Sequence, residues 1–208
     1  MSTTELTREV ARRTFAAEFN DATYTFKESD DERAPNYALL PTGARANRVF
    51  FVGTLTETED VGEDNEYWRG RVVDPTGTFF VYAGQYQPEA AAALRDAEPP
   101  AYVAVVGKPR TYEPEEGRIN VSVRPETIAV VDEATRDRWV VETAERTLDR
   151  IEAFREWEAE ADAPEGATTV PSNEYAAMAR ERYDSPVENY RRTVVQALEG
   201  LEEATPTA

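Results

Sequence analysis

A small five-stranded Greek-key β-barrel, with an N-terminal helix before it and a helical extension after it, is the fold this sequence predicts. Three observations predict it. Residues 47–132 contain five short runs of strand character separated by turn residues. One helical run falls between the third and the fourth of them. After Asp132 the pattern changes to the 3.6-residue period of amphipathic helix.

In chain order, residues 4–20 read as a helix, because Ala11, Phe15 and Phe19 recur every four residues with Leu6 and Val10 beside them. Thr23–Phe26 reads as a short strand ahead of an acidic loop. Residues 37–43 form an apolar run stopped by Pro-Thr-Gly. Residues 1–46 are thus an N-terminal helix and extension. The barrel strands follow at 47–58, 67–74, 78–84, 99–112 and 118–132, the last with an extension after Pro125. The loop 57–66 is polar, 75–77 is a Pro-Thr-Gly turn and 113–117 a Gly-containing turn. Residues 88–98 are the intervening helix, with Pro88 in its first turn, where the missing N–H is not needed. This order of three strands, a helix and two strands is that of the OB-fold. A generic α+β domain shares the order, but the short strands and the lone helix at the plug position favour the barrel.

Beyond it, 133–161 reads as one long helix. Val140, Ala144, Leu148, Ile151 and Phe154 form an apolar stripe along it, which Trp157 extends. Residues 162–171, rich in Pro, Gly and Thr, read as a linker. Residues 172–208 are a small helical module with helices at 172–183 and 185–203, the second opened by Ser185-Pro186 with Glu188 able to reach back to the cap.

Composition narrows the chemistry. The 208 residues include neither cysteine nor histidine, so disulfides, thiolate nucleophiles, Cys/His zinc sites and imidazole acid–base catalysis are all excluded. No enzyme and no cofactor is expected. The six carboxylates of the loop 57–66 fit no calcium-loop spacing and read as a solvated loop. No apolar run is long enough to span a membrane and the start of the chain lacks the features of a secretion signal, so a cytoplasmic protein is expected. The net charge is −18, from 41 acidic and 23 basic residues, and only Lys27 and Lys108 are lysines. A carboxylate-rich chain nearly free of lysine resembles haloarchaeal proteins. At molar salt the Debye length falls to about 3 Å, which screens most of the self-repulsion such a charge creates.

Strand alternation sorts the barrel side chains by face. Phe79, Val81 and Ala83 fall on one side of the third strand, and Phe80 and Tyr82 on the other. Arg69 and Arg71 share a face of the second strand. Lys108 and Arg110 fall opposite Val103, Val105 and Gly107. Arg118, Asn120, Ser122 and Arg124 fall opposite Ile119, Val121 and Val123. An outer face of rings and cations is what a single strand of nucleic acid needs: rings stack on bases and cations meet phosphates. Phe80, Tyr82 and Tyr86 are therefore the candidate stacking groups, with Trp68 and Tyr112 nearby. Arg69, Arg71, Lys108, Arg110, Arg118 and Arg124 are the candidate phosphate contacts. Each ring can equally pack a core, and each arginine can pair with the chain's own carboxylates, so the shared face carries the reading.

The segments "GARANRVFFVGTLTETEDVG", "YWRGRVVDPTGTFFVYAGQYQPEA", "PPAYVAVVGKPRTYE" and "VRPETIAVVDEATRDRWVVETAERTLDRI" resemble the replication protein A-associated proteins of haloarchaea, which are similar to the 32-kDa-type middle subunit of replication protein A. The resemblance spans about residues 5–152 and is most specific over 43–90. It implies an OB-fold that binds single-stranded DNA in replication, repair and recombination, as part of a hetero-oligomer with a replication protein A-type partner subunit. It implies that the helix after the barrel, through Val140, Ala144, Leu148, Ile151 and Phe154, packs on that partner, and that Tyr82 is the ring near the end of strand three that faces DNA. The alternative is an acidic assembly partner of replication protein A that barely touches DNA itself.

Overall fold

The computed structural model describes residues 9–32, 34–162, 173–184 and 186–204. The barrel is built from β5 (Val49–Asp60), β6 (Trp68–Asp74), β7 (Gly77–Ala83), β8 (Ala101–Glu115) and β9 (Arg118–Val130), with α2 (Pro88–Asp96) between β7 and β8. The strand order is β5-β6-β7-β9-β8, and β8 pairs back onto β5. Within the five barrel strands described, the parallel junction joins Val81 of β7 to Val123 of β9. A five-stranded sheet closed in this order, with its helix after the third strand, is an OB-fold.

The inward side chains are those that alternation places inside. Phe79, Val81 and Ala83 are fully buried, and the Phe79 ring stacks on Phe51 with centroids 3.8 Å apart. The two ends of the barrel are closed by different helices. Leu94 of α2 seals the end at which β6 begins and β7 finishes. Phe19 of α1 (Ala16–Asp21) lies against Phe79 toward the β6–β7 turn. Asp74, buried in that turn, ties the helix down. Its carboxylate accepts hydrogen bonds from the Ala16 amide (2.7 Å), the Thr76 amide and hydroxyl, and the Gly77 amide.

β8 and β9 run past the barrel as a twisted ribbon that turns at Gly117, whose φ of 82° a side chain would resist. The strands are continuous through Pro109, Pro114 and Pro125: register shifts at Tyr112/Glu115 and Val106/Gly107 fall at Pro114 and opposite Pro125, while Pro109 pairs in register with Val123. Residues 113–115, expected in the turn, are thus ribbon. At Gly107 the backbone of β9 approaches so closely that a Cβ would lie 2.6 Å from the Arg124 carbonyl oxygen.

The N-terminal helix is shorter than its periodicity suggests. Within 9–20, only residues from Ala16 onward are helical. Arg12–Arg13 forms β1, a parallel strand on β5, with the Arg12 amide donating to the Arg48 carbonyl at 2.8 Å. Phe15 and Phe19 are both buried, but Val10 is 89% exposed, so the four-residue recurrence does not reflect one continuous helix face. Residues 4–8 of the expected helix lie outside the described residues. A second sheet, β2 (Thr25–Lys27), β3 (Asn36–Leu40) and β4 (Ala44–Ala46), is antiparallel; its third strand had no signal in the sequence.

The long helix α3 covers Glu133–Ala161, as its pattern predicts, and Asp132 caps it by accepting from the Thr135 amide at 2.8 Å. Helices α4 (Glu174–Arg182) and α5 (Val187–Ala204) complete the fold. The linker expected at 162–171 falls, apart from Asp162, outside the described residues, as does the Ser185 cap; Glu188 pairs with Arg191 and Arg155. No helix among the described residues is long and apolar enough to cross a membrane.

The stripe on α3 expected to meet a partner is covered by the chain itself. Val140 and Ala144 pack with Val52 and Ala104 of the barrel and Val194 of α5, with Leu148 at the edge of that cluster. Ile151 and Phe154 pack with Leu39, α4 and Tyr190. Four of the five are thus buried, and Leu148 is half-buried at the edge of a surface cleft between α3 and α5. Below them, Arg150 reaches a buried carboxylate. It donates to Glu18 (2.7 Å) and Thr42 (3.1 Å), and Thr42 donates to Glu18 in turn.

Candidate nucleic-acid interface

The outer face of β7, β8 and β9 carries a cleft of about 550 Å³. Four tyrosines line it: Tyr82 on β7, Tyr67 at the end of the loop before β6, Tyr86 before α2, and Tyr112 on the ribbon. Arg110, Ser122 and Arg124 line the β8–β9 side, and Gln87 lies beside Tyr86. The sheet explains the placement. Arg69 pairs with Tyr82, Arg110 with Ser122 and Lys108 with Arg124, and directly opposed residues of antiparallel strands point to the same face.

Tyr82 and Tyr67 form a stacked pair, centroids 5.8 Å apart and planes 23° from parallel. Asp60 holds the loop that brings Tyr67 there, by accepting from the amides of Gly62 and Tyr67, each at 3.0 Å. The Tyr82 phenol is shifted up, first by burial and then by its tyrosine neighbours Tyr112 and Tyr67, so it stays neutral at any physiological pH. Tyr86 is 83% exposed and Tyr112 is also exposed, so both rings have room to receive a flat ligand.

A second cleft of about 590 Å³ adjoins the first through Tyr86, Gln87 and Arg124 and adds Lys108. Lys108, Arg110 and Arg124 make no ion pair with a described residue. They act on one another instead. The Lys108 ammonium is held below its ordinary range by desolvation and by the charges of Arg48, Arg124 and Arg110, with Glu126 opposing. Arg124 is lowered by desolvation and by Arg110, with Glu126 again opposing.

The other candidates separate by position. Phe80 points outward, 37% exposed, but does not line the cleft. Arg69 is held by Glu59 (2.6 Å) and Glu57 (3.4 Å), so the chain's own carboxylates already satisfy it. Arg71 donates to Thr56 and also lies outside the cleft lining. Arg118 is exposed near the ribbon tip, away from the cleft. Trp68 packs against the barrel core. Tyr67 was not among the sequence candidates. Parity with Arg69 and Arg71 was the available signal, because it puts Tyr67 on their face.

Fold and cleft together define an OB-fold barrel with an aromatic and cationic groove on its outer wall. Neither a family model nor a curated protein matches the chain. Among solved structures it is similar to a chain of a replication protein A heterotrimer bound to single-stranded DNA, at 14% identity over 71% of this chain and 98% of that one, with a TM-score of 0.41. It is also similar to the second single-stranded DNA-binding protein of Mycobacterium smegmatis, at 20% identity over 41% and 86% of the two chains, TM-score 0.35. At these identities and scores the likeness adds nothing beyond the strand order, and function rests on the groove.

Proposed function

We propose that this chain binds single-stranded DNA along the groove of β7, β8 and β9, without catalysis, and does so as a subunit or accessory of a replication protein A-type complex. One observation carries the DNA-binding part. In a chain of net charge −18, cations that form no ion pair with a described residue are gathered beside four tyrosines on one barrel face. Stacking supplies affinity that does not fade with salt, and the unpaired cations supply phosphate contacts. Membership of a hetero-oligomer rests on the resemblance of the sequence segments to the replication protein A-associated proteins. The burial of Val140, Ala144, Ile151 and Phe154 counts against α3 as the docking surface unless α5 is displaced.

The test is fluorescence anisotropy with a labelled oligothymidylate in molar KCl. Replacing Tyr67 and Tyr82 together by Ala should weaken binding by about 5- to 150-fold, the equivalent of about 1–3 kcal/mol for one stacked base. Phe80→Ala should change it far less. Equal affinity of the double variant and the natural chain refutes the groove as the binding site.

A further inference from the structure

The cationic part of the groove is built differently from a track. Lys108 and Arg124 are directly opposite each other on β8 and β9, and Arg110 is two residues along the same face. Like charges directly opposed in a ladder destabilise it, and here no described carboxylate forms an ion pair with any of the three. Other cations of the barrel are held by carboxylates, as at Arg69 with Glu57 and Glu59 and at Arg48 with Glu126, and those without an ion pair to a described residue, such as Arg71 and Arg118, are not paired with another cation across the ladder. The cluster also marks an end. Past Lys108 and Arg124 the cleft is lined by Pro88, Glu89 and Ala90 of α2 and by Pro125 and Glu126 of β9. The next cation, Arg48, is already engaged by both oxygens of Glu126, at 2.7 and 3.0 Å.

A strand continuing through this end would carry its next phosphates toward Glu89 and Glu126. A strand ending there would not. An internal phosphodiester brings one negative charge to the three cations, whereas a phosphomonoester carries about −1.5 to −2 at neutral pH. We infer that Lys108, Arg110 and Arg124 form a subsite for the terminal phosphate of a single strand, so that the groove prefers a phosphorylated strand end to a hydroxyl end. This rests on the single-strand reading above and adds to it which part of the strand the cations take.

The experiment compares oligothymidylates of about a dozen nucleotides, within the span of one OB-fold, carrying a 5′-phosphate, a 3′-phosphate or hydroxyls at both ends. Binding of one phosphorylated form about tenfold tighter than the hydroxyl form at pH 7.5 is the expected result. The preference should shrink below about pH 6, where the monoester takes up its second proton. Lys108→Gln, alone and with Arg124→Gln, should reduce the preference while leaving sensitivity to Tyr67→Ala/Tyr82→Ala in place; circular dichroism confirms that each variant folds. Equal binding of all three oligonucleotides, with the tyrosine sensitivity intact, overturns the end subsite and leaves the single-strand reading standing. Loss of the tyrosine sensitivity overturns that reading instead. A free 5′-mononucleotide that competes as well as the phosphorylated oligonucleotide overturns the inference in favour of a nucleotide site.

Discussion

Salt dependence gives the sharpest check on which cations meet phosphate. Each phosphate neutralised on a single strand contributes about −0.7 to the slope of log K against log[salt]. The cleft lining supplies three cations without ion-pair partners among the described residues, Lys108, Arg110 and Arg124, so a hydroxyl-ended strand, which has no terminal phosphate to gather them and meets each with a separate internal phosphate, has a predicted slope of about −2. Affinity should therefore fall about 100-fold between 0.2 and 2 M KCl. Arg69 is left out because Glu57 and Glu59 already hold it, and removing it leaves those carboxylates in place. Lys108→Gln should flatten the slope by about 0.7, and Arg69→Gln should leave it unchanged. Anisotropy titrations across the salt series measure the slope. Far-UV circular dichroism at each salt separates lost binding from lost fold, which matters for a chain of this charge. A slope near −5 would mean that the paired arginines also open to phosphate. A slope of zero would remove phosphate contacts from the account. Either result refutes the reasoning.

Two further outcomes follow from buried and titrating groups. Arg150→Met leaves the Glu18 carboxylate, 1% exposed, without its cation, and should cost about 3–5 kcal/mol by urea unfolding, against little for Arg155→Met on the exposed side of α3; a loss no larger than the Arg155 control would show the pair to be incidental. The second outcome concerns Lys108, whose pKa is depressed in the free protein. Phosphate favours the charged form, so binding takes up a proton, and affinity should fall as pH rises through the free protein's Lys108 pKa, below the ordinary 10.5. The Lys108→Arg variant, charged throughout, should flatten the profile over the same range, and an identical profile in both proteins removes Lys108 from the contact. For stability the sign is opposite. The folded state binds fewer protons at Lys108 than the unfolded chain, so the burden of its charge is present at neutral pH and is relieved as pH rises through the folded pKa.

The barrel was legible because each strand announces a buried side and an outer side. Phe79, Val81 and Ala83 against Phe80 and Tyr82 is a period-two pattern that only a half-buried strand satisfies. The limits of α3 were equally plain, since its apolar stripe runs unbroken and Asp132 is a natural cap. Sequence could not show what covers that stripe. Val194 of α5 is simply apolar until α5 is seen folded back beside the barrel. β1 failed for a different reason. It is held by main-chain hydrogen bonds to Arg48 and Phe50, which carry no side-chain signature, while Phe15 and Phe19 imitate a helix. Residues 113–117 read as a turn, yet a register shift carries the pairing past Pro114 to Glu115. Of the residues that line the two clefts, face parity put Tyr82, Lys108, Arg110 and Arg124 on the outer side. It could not tell Arg69, which meets its own carboxylates, from its neighbours.

That last distinction decides how an acidic protein can bind an anion. Net charge sets the long-range field, which molar salt shortens to about 3 Å. Contact is set by the few cations the fold leaves unpaired. Lys108 beside Arg124 is a local conflict in an otherwise consistent barrel, and such conflicts mark functional sites more often than accidents. In the proposed complex a ligand phosphate would resolve it, by supplying the negative charge that no described carboxylate provides through an ion pair. The tyrosines then act where the cations cannot, since stacking on Tyr67 and Tyr82 needs no charge and survives the salt that screens everything else.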